Sequence, residues 1–574
     1  MAAAADRQRI IFSRLIPASI GLFLADADGK NERPLLAATG YDYNASFSAD
    51  GKWILFTSER DGSADIYRVH PDGSALERIT DSPSYDDQAA LSPDGGTLAF
   101  VSTREGGTAN IWLLNLARRR YTNLTKTTSG NFRPSWSPDG EWIAFSSDRD
   151  TKPGRAEPAW ELLQSTAVYI VRPDGTGLRR LTELGGYHGN PQWSADGRRI
   201  VCHQSEPKHV FPGRQDGKAI SQIVSIDVET GAQQAHTTGA GFKLAPRYLE
   251  GGEIGYVLKY GEKPGLAFVS GRTGVPGEMR NPSWSPDRKA MVYQKSISGE
   301  PNRMKPAFNR DPAFELYLTA NFPAYSPAGD KLVITSARPT LTIMDADGTN
   351  SRTLLESPGK VAVFPSWSPD GKYIAFALGG FFARPVQPGQ LAIIRPDGSD
   401  LRMLTSGEAS SGFPSFSPDG KRLVYRVMGK GEQGLRLMSL EDGKVTTLTT
   451  EYDTFPAWSP RGDLISFTSF RDKDFEIYTI RPDGSARKKL TNTHGNDAHS
   501  VWSSDGKWII FSSSRMGWKD EALLYDRGPQ PYGELYVMRE DGSGARQLTD
   551  NQWEDATPAW LPTSAPPKRA QALR

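Results

Sequence analysis

Phe-Ser-Ala-Asp-Gly-Lys-Trp-Ile-Leu-Phe at residues 47–56 returns as Trp-Ser-Pro-Asp-Gly-Glu-Trp-Ile-Ala-Phe at 136–145 and as Trp-Ser-Ser-Asp-Gly-Lys-Trp-Ile-Ile-Phe at 502–511. About a dozen variants of the phrase run along the chain. Most are followed by an Ile-Tyr-like strand, a Pro-Asp-Gly-Ser-like turn and Leu-Thr. A period of roughly 40–50 residues made only of short strands is the signature of an all-β fold, the β-propeller, with one four-stranded blade per repeat. The fold alone does not assign a function, because propellers host both binding and catalysis.

One copy shows how the phrase builds a blade. Residues 44–48 form the inner strand, and Asp50-Gly51 makes a tight hairpin turn in which glycine takes a positive φ. Residues 53–57 are the apolar second strand, 66–69 the third, and 76–80 the outer strand after the Pro71-Asp72-Gly73-Ser74 turn. Later copies begin near Gln88, Arg133, Asn190, Ala245, Asn281, Phe322, Phe364, Phe413, Phe455 and His499, and the one at 242–279 is the most degenerate.

The chain ends complement each other. Residues 9–38 supply three strands without a first, and 557–561 read as a first strand with nothing after it. Joined, they complete a twelfth blade and remove exposed sheet edges. Twelve blades exceed the usual four to eight of one ring. Two six-bladed propellers are therefore expected, with one larger ring as the alternative. The expected division gives residues 41–320 (blades two to seven) to the first ring. It gives 8–40 with 321–562 (blades one and eight to twelve) to the second, leaving 563–574 as a tail.

A second regularity points the same way. The residue three before the end of each inner strand is Asn44, Gln88, Arg133, Asn190 and Asn281 in blades two to five and seven. It is Phe322, Phe364, Phe413 and Phe455 in blades eight to eleven. Equivalent positions ring one axis, so a polar set and an aromatic set imply two channels. The plainer alternative is that each Phe packs under the next blade.

Composition excludes several classes. With 68 basic and 67 acidic residues the net charge is +1, which favours neither nucleic acid nor an anionic membrane. No apolar run approaches the ~18 residues of a spanning helix, so no membrane insertion is expected. Cys202 is the only cysteine, so an intrachain disulfide and Cys-based zinc motifs are excluded. Residues 1–6 are too short and polar for a signal peptide, and 10–24 read as strands. A monomer is expected.

The pattern Ser-Pro-Asp-Gly-Lys…Ile-Ala-Phe…Ile-Tyr…Pro-Asp-Gly-Ser…Leu-Thr resembles the PD40 (WD40-like) propeller repeats of the TolB family. It is also similar to the propeller of dipeptidyl-peptidase-IV-like proteins. The resemblance runs from about Ile10 to Leu561. It implies the fold and an extracytoplasmic (periplasmic or secreted) location. TolB's separate N-terminal domain has no counterpart here, so a role in the Tol–Pal envelope system does not follow from it. A peptidase role is not expected either, because no α/β-hydrolase segment or Gly-x-Ser-x-Gly elbow is present. The long last blade, with Arg515-Met-Gly-Trp-Lys-Asp-Glu521, resembles a subgroup of uncharacterised, exported TolB-like proteins.

Candidate sites lie in long loops between second and third strands, at 150–166, 204–221, 296–313, 379–389 and 515–533. Long ordered insertions commonly carry function. These mix aromatics with arginine: Trp160, Phe211, Arg214, Arg303, Phe308, Arg310, Phe381, Phe382, Arg384, Trp518, Tyr525, Arg527 and Tyr532. Such a mixture suits stacking on sugar rings and pairing with acidic groups. The alternative is that the loops are lids packing on one another.

His188, His203 and His209 fall at one end of blade five, and His494 and His499 at the start of blade twelve. A divalent metal held there would serve a lyase of uronic-acid polymers by acidifying the proton beside the carboxylate. No His-x-His or His-x-x-x-His spacing supports it. The recurring Arg60, Arg104, Arg149, Arg471 and Arg515 read as ion pairs within their blades, with Asp65 and Glu476 as example partners. The resulting expectation is a non-catalytic recognition scaffold binding a glycan or protein at a ring mouth, with no metal or cofactor. Its ligand-binding residues are Asn44, Gln88, Arg133, Asn190, Asn281, His188, Trp160 and Arg310. The rival expectation is a carbohydrate-active enzyme, a metal-dependent lyase or a hydrolase of an acidic polysaccharide.

Overall fold

The structure, a computed structural model, describes residues 8–15, 19–37, 40–151, 154–155, 162–206, 218–261, 263–297, 305–307, 314–319, 322–335, 340–357, 359–379, 388–521 and 533–562. These form twelve four-stranded sheets and one small two-stranded ribbon.

The repeated phrase is a turn-building device. Ser48 donates its hydroxyl to the Asp50 carboxylate at 2.7 Å and accepts the Trp53 N–H at 3.0 Å. Asp50 also accepts the Lys52 N–H, so one serine and one aspartate satisfy the whole hairpin. The same arrangement recurs at Ser137/Asp139, Ser368/Asp370 and Ser503/Asp505. Gly51, at φ 71°, supplies the left-handed step.

The recurring arginine is a clamp. Arg60 bonds Ser58 at the end of the second strand and Asp42 at the start of the inner strand. Arg104 takes Asp86, Arg471 takes Asp453 and Arg515 takes Asp497, each 18 residues upstream. The pair is within the blade as expected, but its partner differs. Asp65 faces Arg78 instead, and Glu476 accepts from Thr491. The inner-strand carboxylate is the one that lies beside the guanidinium across the hairpin.

Apolar clusters between neighbouring sheets close two cycles of six. In the first, inner strands Asp42–Phe47, Asp86–Leu91, Asn131–Trp136, Tyr187–Trp193, Phe242–Tyr248 and Arg280–Trp284 follow one another. Contacts such as Leu55 with Phe100 and Ala144 with Cys202 lie between adjacent blades, and Leu22, Phe56 and Val292 close the circle. In the second, Ile11, Leu332 and Ala559 join the last blade to the first.

The terminal strands depart from the expected division. Residues 9–38 do not all enter one blade. Gln8–Leu15 pairs antiparallel with the inner strand Glu554–Trp560 and parallel with Phe314–Thr319 in the second ring. Ser19–Asp26 and Arg33–Pro34 instead complete the first-ring sheet begun by Arg280–Trp284 and Ala290–Ile297. Lys305–Pro306 and Phe314–Thr319, expected in the first ring, form the outer half of a second-ring blade. Side-chain fit against the partner strand is the physical reason. Ser19–Asp26 matches Ala290–Ile297 over all eight residues. Gly21 leaves room for Ile297, whose Cδ1 would lie 2.5 Å from a Cβ there.

Candidate functional site

Each inner strand carries one non-glycine residue with a left-handed backbone, which in the blade of Ala324–Tyr325 stands two residues before the strand. These are Asn44, Gln88, Arg133, Asn190, Ala245 and Asn281 in the first ring, and Phe322, Phe364, Phe413, Phe455, His499 and Thr557 in the second, with φ between 46° and 60°. The hairpin register shifts beside them, for example between Tyr43 and Ser46 and between Gly189 and Gln192. A bulge of this kind re-aims one side chain, and a left-handed L-residue costs roughly 1–2 kcal/mol. The sheet therefore turns one residue per blade out of its alternation toward the axis.

In the first ring these residues bond to one another. Arg133 donates to Asn44 Oδ1 at 3.0 Å, and Asn281 donates to the same oxygen at 2.6 Å. Gln88 Oε1 accepts the Arg133 backbone N–H at 2.8 Å. Asn44 Nδ2 donates to both oxygens of Asp87, a buried carboxylate that also takes bonds from Thr57 and Tyr85. Asp87 escaped sequence reasoning, since an acid inside an inner strand carries no pattern of its own.

On the hairpin side of this polar girdle lies a cavity of about 460 Å³. Asn44, Gln88, Arg133, Asn190 and Asn281 form its floor, and Trp136, Trp193, Gln192, Arg247 and Arg288 its wall. No carboxylate lines it among the described residues. Trp136 and Trp193 each spend their indole N–H on a carbonyl of the preceding blade, leaving their rings as wall.

The opposite mouth is filled from the second ring. The segment after the strand Trp508–Ser513 reaches across and buries Trp518, Lys519, Asp520 and Glu521, which are 5, 2, 2 and 1% exposed. Asp520 takes a bidentate bond from Arg133, with Nε at 2.9 Å. Glu521 accepts from the Ser146 hydroxyl and, at 3.1 Å, from the Asn190 backbone N–H. Gln88 Nε2 donates to the Lys519 carbonyl at 3.2 Å. Burial raises both acids, Asp520 to about 6 against the pull of Arg133 and Glu521 to about 7. Only a charged triplet beside Trp518 in an unusually long loop hinted at this role.

His188 lies two residues before Asn190, is buried, and is not part of the cavity lining. Burial lowers it to about 4. His203 sits opposite Gly189, 3.9 Å from Glu521 Oε2, and is lowered to about 3. Among the described residues no three His, Cys, Asp or Glu side chains are grouped as a metal requires. Trp160, Arg310 and His209 lie outside the described residues.

The second axis is aromatic. Phe322, Phe364, Phe413, Phe455 and His499 meet in sequence, edge to face or tilted, with centroids 4.4, 3.7, 4.5 and 4.1 Å apart. The rings meet one another about the axis, so the alternative of separate packing under each neighbour does not describe them. Phe413→Ala should cost about 2 kcal/mol in urea unfolding, because it removes two ring contacts from a half-buried position.

Twelve blades closed in two cycles, with one polar and one aromatic axis, define a tandem β-propeller protein. The sequence profile of the PD40 family, the TolB beta propeller domain, matches residues 2–106, 88–218, 335–473 and 383–525. The chain belongs to that family. An uncharacterized protein of Agrobacterium fabrum is 27% identical over 235 residues, covering 40% of this chain and 71% of the relative. The Tol-Pal system protein TolB of Anaeromyxobacter dehalogenans is 29% identical over 174 residues, covering 29% of this chain and 37% of that protein. The chain thus spans little more than a third of that TolB relative. The solved structure of a TolB from Agrobacterium tumefaciens is 21% identical, with a TM-score of 0.38, covering 49% of this chain and 99% of the other.

Proposed function

We propose that the chain is a non-catalytic binding scaffold taking an acidic group of a protein or glycan partner into the hairpin-side cavity of the first ring. The observation that carries this reading is the lining itself. Arg247 and Arg288 stand in the wall of a space of about 460 Å³ with polar amides at its floor and no carboxylate among the described lining residues. Such a space attracts carboxylates electrostatically and orients them by hydrogen bonds. A fixed girdle held by left-handed backbone costs little further ordering on binding. Membership in the TolB propeller family, one relative of which is a Tol-Pal system protein, supports a partner that is itself a protein and an extracytoplasmic location.

Acidic-peptide and acidic-glycan libraries test the reading, followed by calorimetry on Arg247→Ser and Arg288→Ser. Both sites lie at the wall, away from the girdle. Each substitution should weaken the retained ligand roughly tenfold, the loss of one charge-assisted hydrogen bond. Binding indifferent to both changes, or release of unsaturated uronate from a polyuronate substrate, would overturn it, the latter in favour of a lyase.

A further inference from the structure

We propose that the loop-side mouth of the first ring is a receptor for a linear acidic peptide carrying an aromatic residue two positions before paired carboxylates. Residues Trp518-Lys-Asp-Glu521 are its resident ligand, supplied by the second ring. The site shares Gln88, Arg133 and Asn190 with the floor of the hairpin-side cavity but opens on the opposite mouth, and the proposal does not rest on the reading of that cavity.

The first ring provides a built pocket. Trp518 packs into an apolar cluster composed otherwise of first-ring residues, including Tyr85, Val101, Phe132 and Phe145. Beside it stand donors suited to carboxylates: the Arg133 guanidinium for Asp520, and the Ser146 hydroxyl with the Asn190 N–H for Glu521. Gly189 completes the cradle. A Cβ there would lie 2.4 Å from Glu521 Oε2 and 2.6 Å from His203 Nε2, so only glycine admits the carboxylate. Its φ is not left-handed, so space and not backbone freedom is what requires it.

The peptide reads as a ligand more than as ring-two framework. Lys519 is satisfied by Glu534 and Asp550 of its own ring, and Trp518, Asp520 and Glu521 turn to the other. The rings are also tied elsewhere. Arg14 bonds Glu59 at 3.1 Å, Trp553 donates to Glu59 at 2.9 Å, and Thr103 donates to Asp550 at 2.6 Å. The mouth can therefore empty without the rings parting, which makes exchange with an external peptide feasible.

The test uses the full chain and an acetylated, amidated peptide of residues 516–522. The triple substitution Trp518→Ala, Asp520→Asn, Glu521→Gln should bind the peptide in calorimetry at an affinity at least tenfold above that of the native chain, whose mouth is filled. Adding Arg133→Met should abolish that gain. A folded triple variant that does not bind, or binds equally with Arg133→Met, overturns the proposal. Gly189→Ala in the otherwise native chain keeps it falsifiable should the triple variant misfold. Amide hydrogen exchange across residues 516–521 should quicken at least tenfold as Glu521 is displaced, and an unchanged rate overturns the proposal.

Discussion

Arg133→Met should lower the unfolding free energy by about 3–5 kcal/mol in urea titration, the range for breaking a buried ion pair from one side. The substitution keeps much of the side-chain volume, so a cavity contributes little. What is lost is charge. Asp520 is 2% exposed and takes its two bonds to a guanidinium from this residue. Asn44 Oδ1 loses one of its two donors in the same step. Asp520→Leu introduced with Arg133→Met should restore most of the loss, because a well-packed apolar pair removes both desolvation penalties. A double variant as unstable as the Arg133→Met single would show that the penalty comes from packing.

Glu521→Gln should stabilise the protein relative to the native chain progressively as pH rises from about 4.5 to 7, by about 3 kcal/mol across the window. Burial raises the folded-state Glu521 to about 7 from the usual 4.5. Below 4.5 both folded and unfolded chains hold the proton, and the difference has no pH slope. Between 4.5 and 7 the folded chain binds the proton more tightly, so native stability falls with rising pH. Above 7 the full cost of an ionised buried carboxylate is present. Glutamine stays neutral and avoids it, and its Oε1 can still accept from Ser146. His203 and His188, lowered to about 3 and 4 in the folded chain, take up protons on unfolding below about 6.5 and add stability as pH rises, but both chains carry them, so this contribution cancels in the difference. Parallel urea titrations of both chains at pH 4.5 and 8 measure the effect. Equal differences at the two pH values would mean that Glu521 is not held in this environment.

Much of this was legible in the sequence, for identifiable reasons. The Ser-x-Asp-Gly phrase satisfies its own turn, so every copy announces a hairpin without tertiary information. The polar and aromatic sets were legible because one position per repeat faces the axis. The cause, a left-handed bulge at Asn44 or Phe413, left no mark, since neither residue type demands positive φ as glycine does. The plug at Asp520 and Glu521 stayed hidden for a different reason. Its partners Arg133, Ser146 and Asn190 lie more than 300 residues away, and no periodicity links a loop of one ring to the axis of the other. The strand exchange failed similarly. Gln8–Leu15 and Ser19–Asp26 are adjacent and alike in length, so local reasoning kept them in one blade.

That exchange sets the order in which the molecule can be made. The first ring is drawn entirely from residues 19–297 and can close while the ribosome is still translating the rest. The second encloses it in the chain and needs Gln8–Leu15 beside Phe314–Thr319 and Glu554–Trp560. At roughly 5–20 residues per second, Gln8–Leu15 waits between about half a minute and two minutes for its last partner. Through that interval one edge of an apolar strand stays without its partner. The cell must shield that edge, and expression that stalls before the final blade should yield aggregates seeded from it.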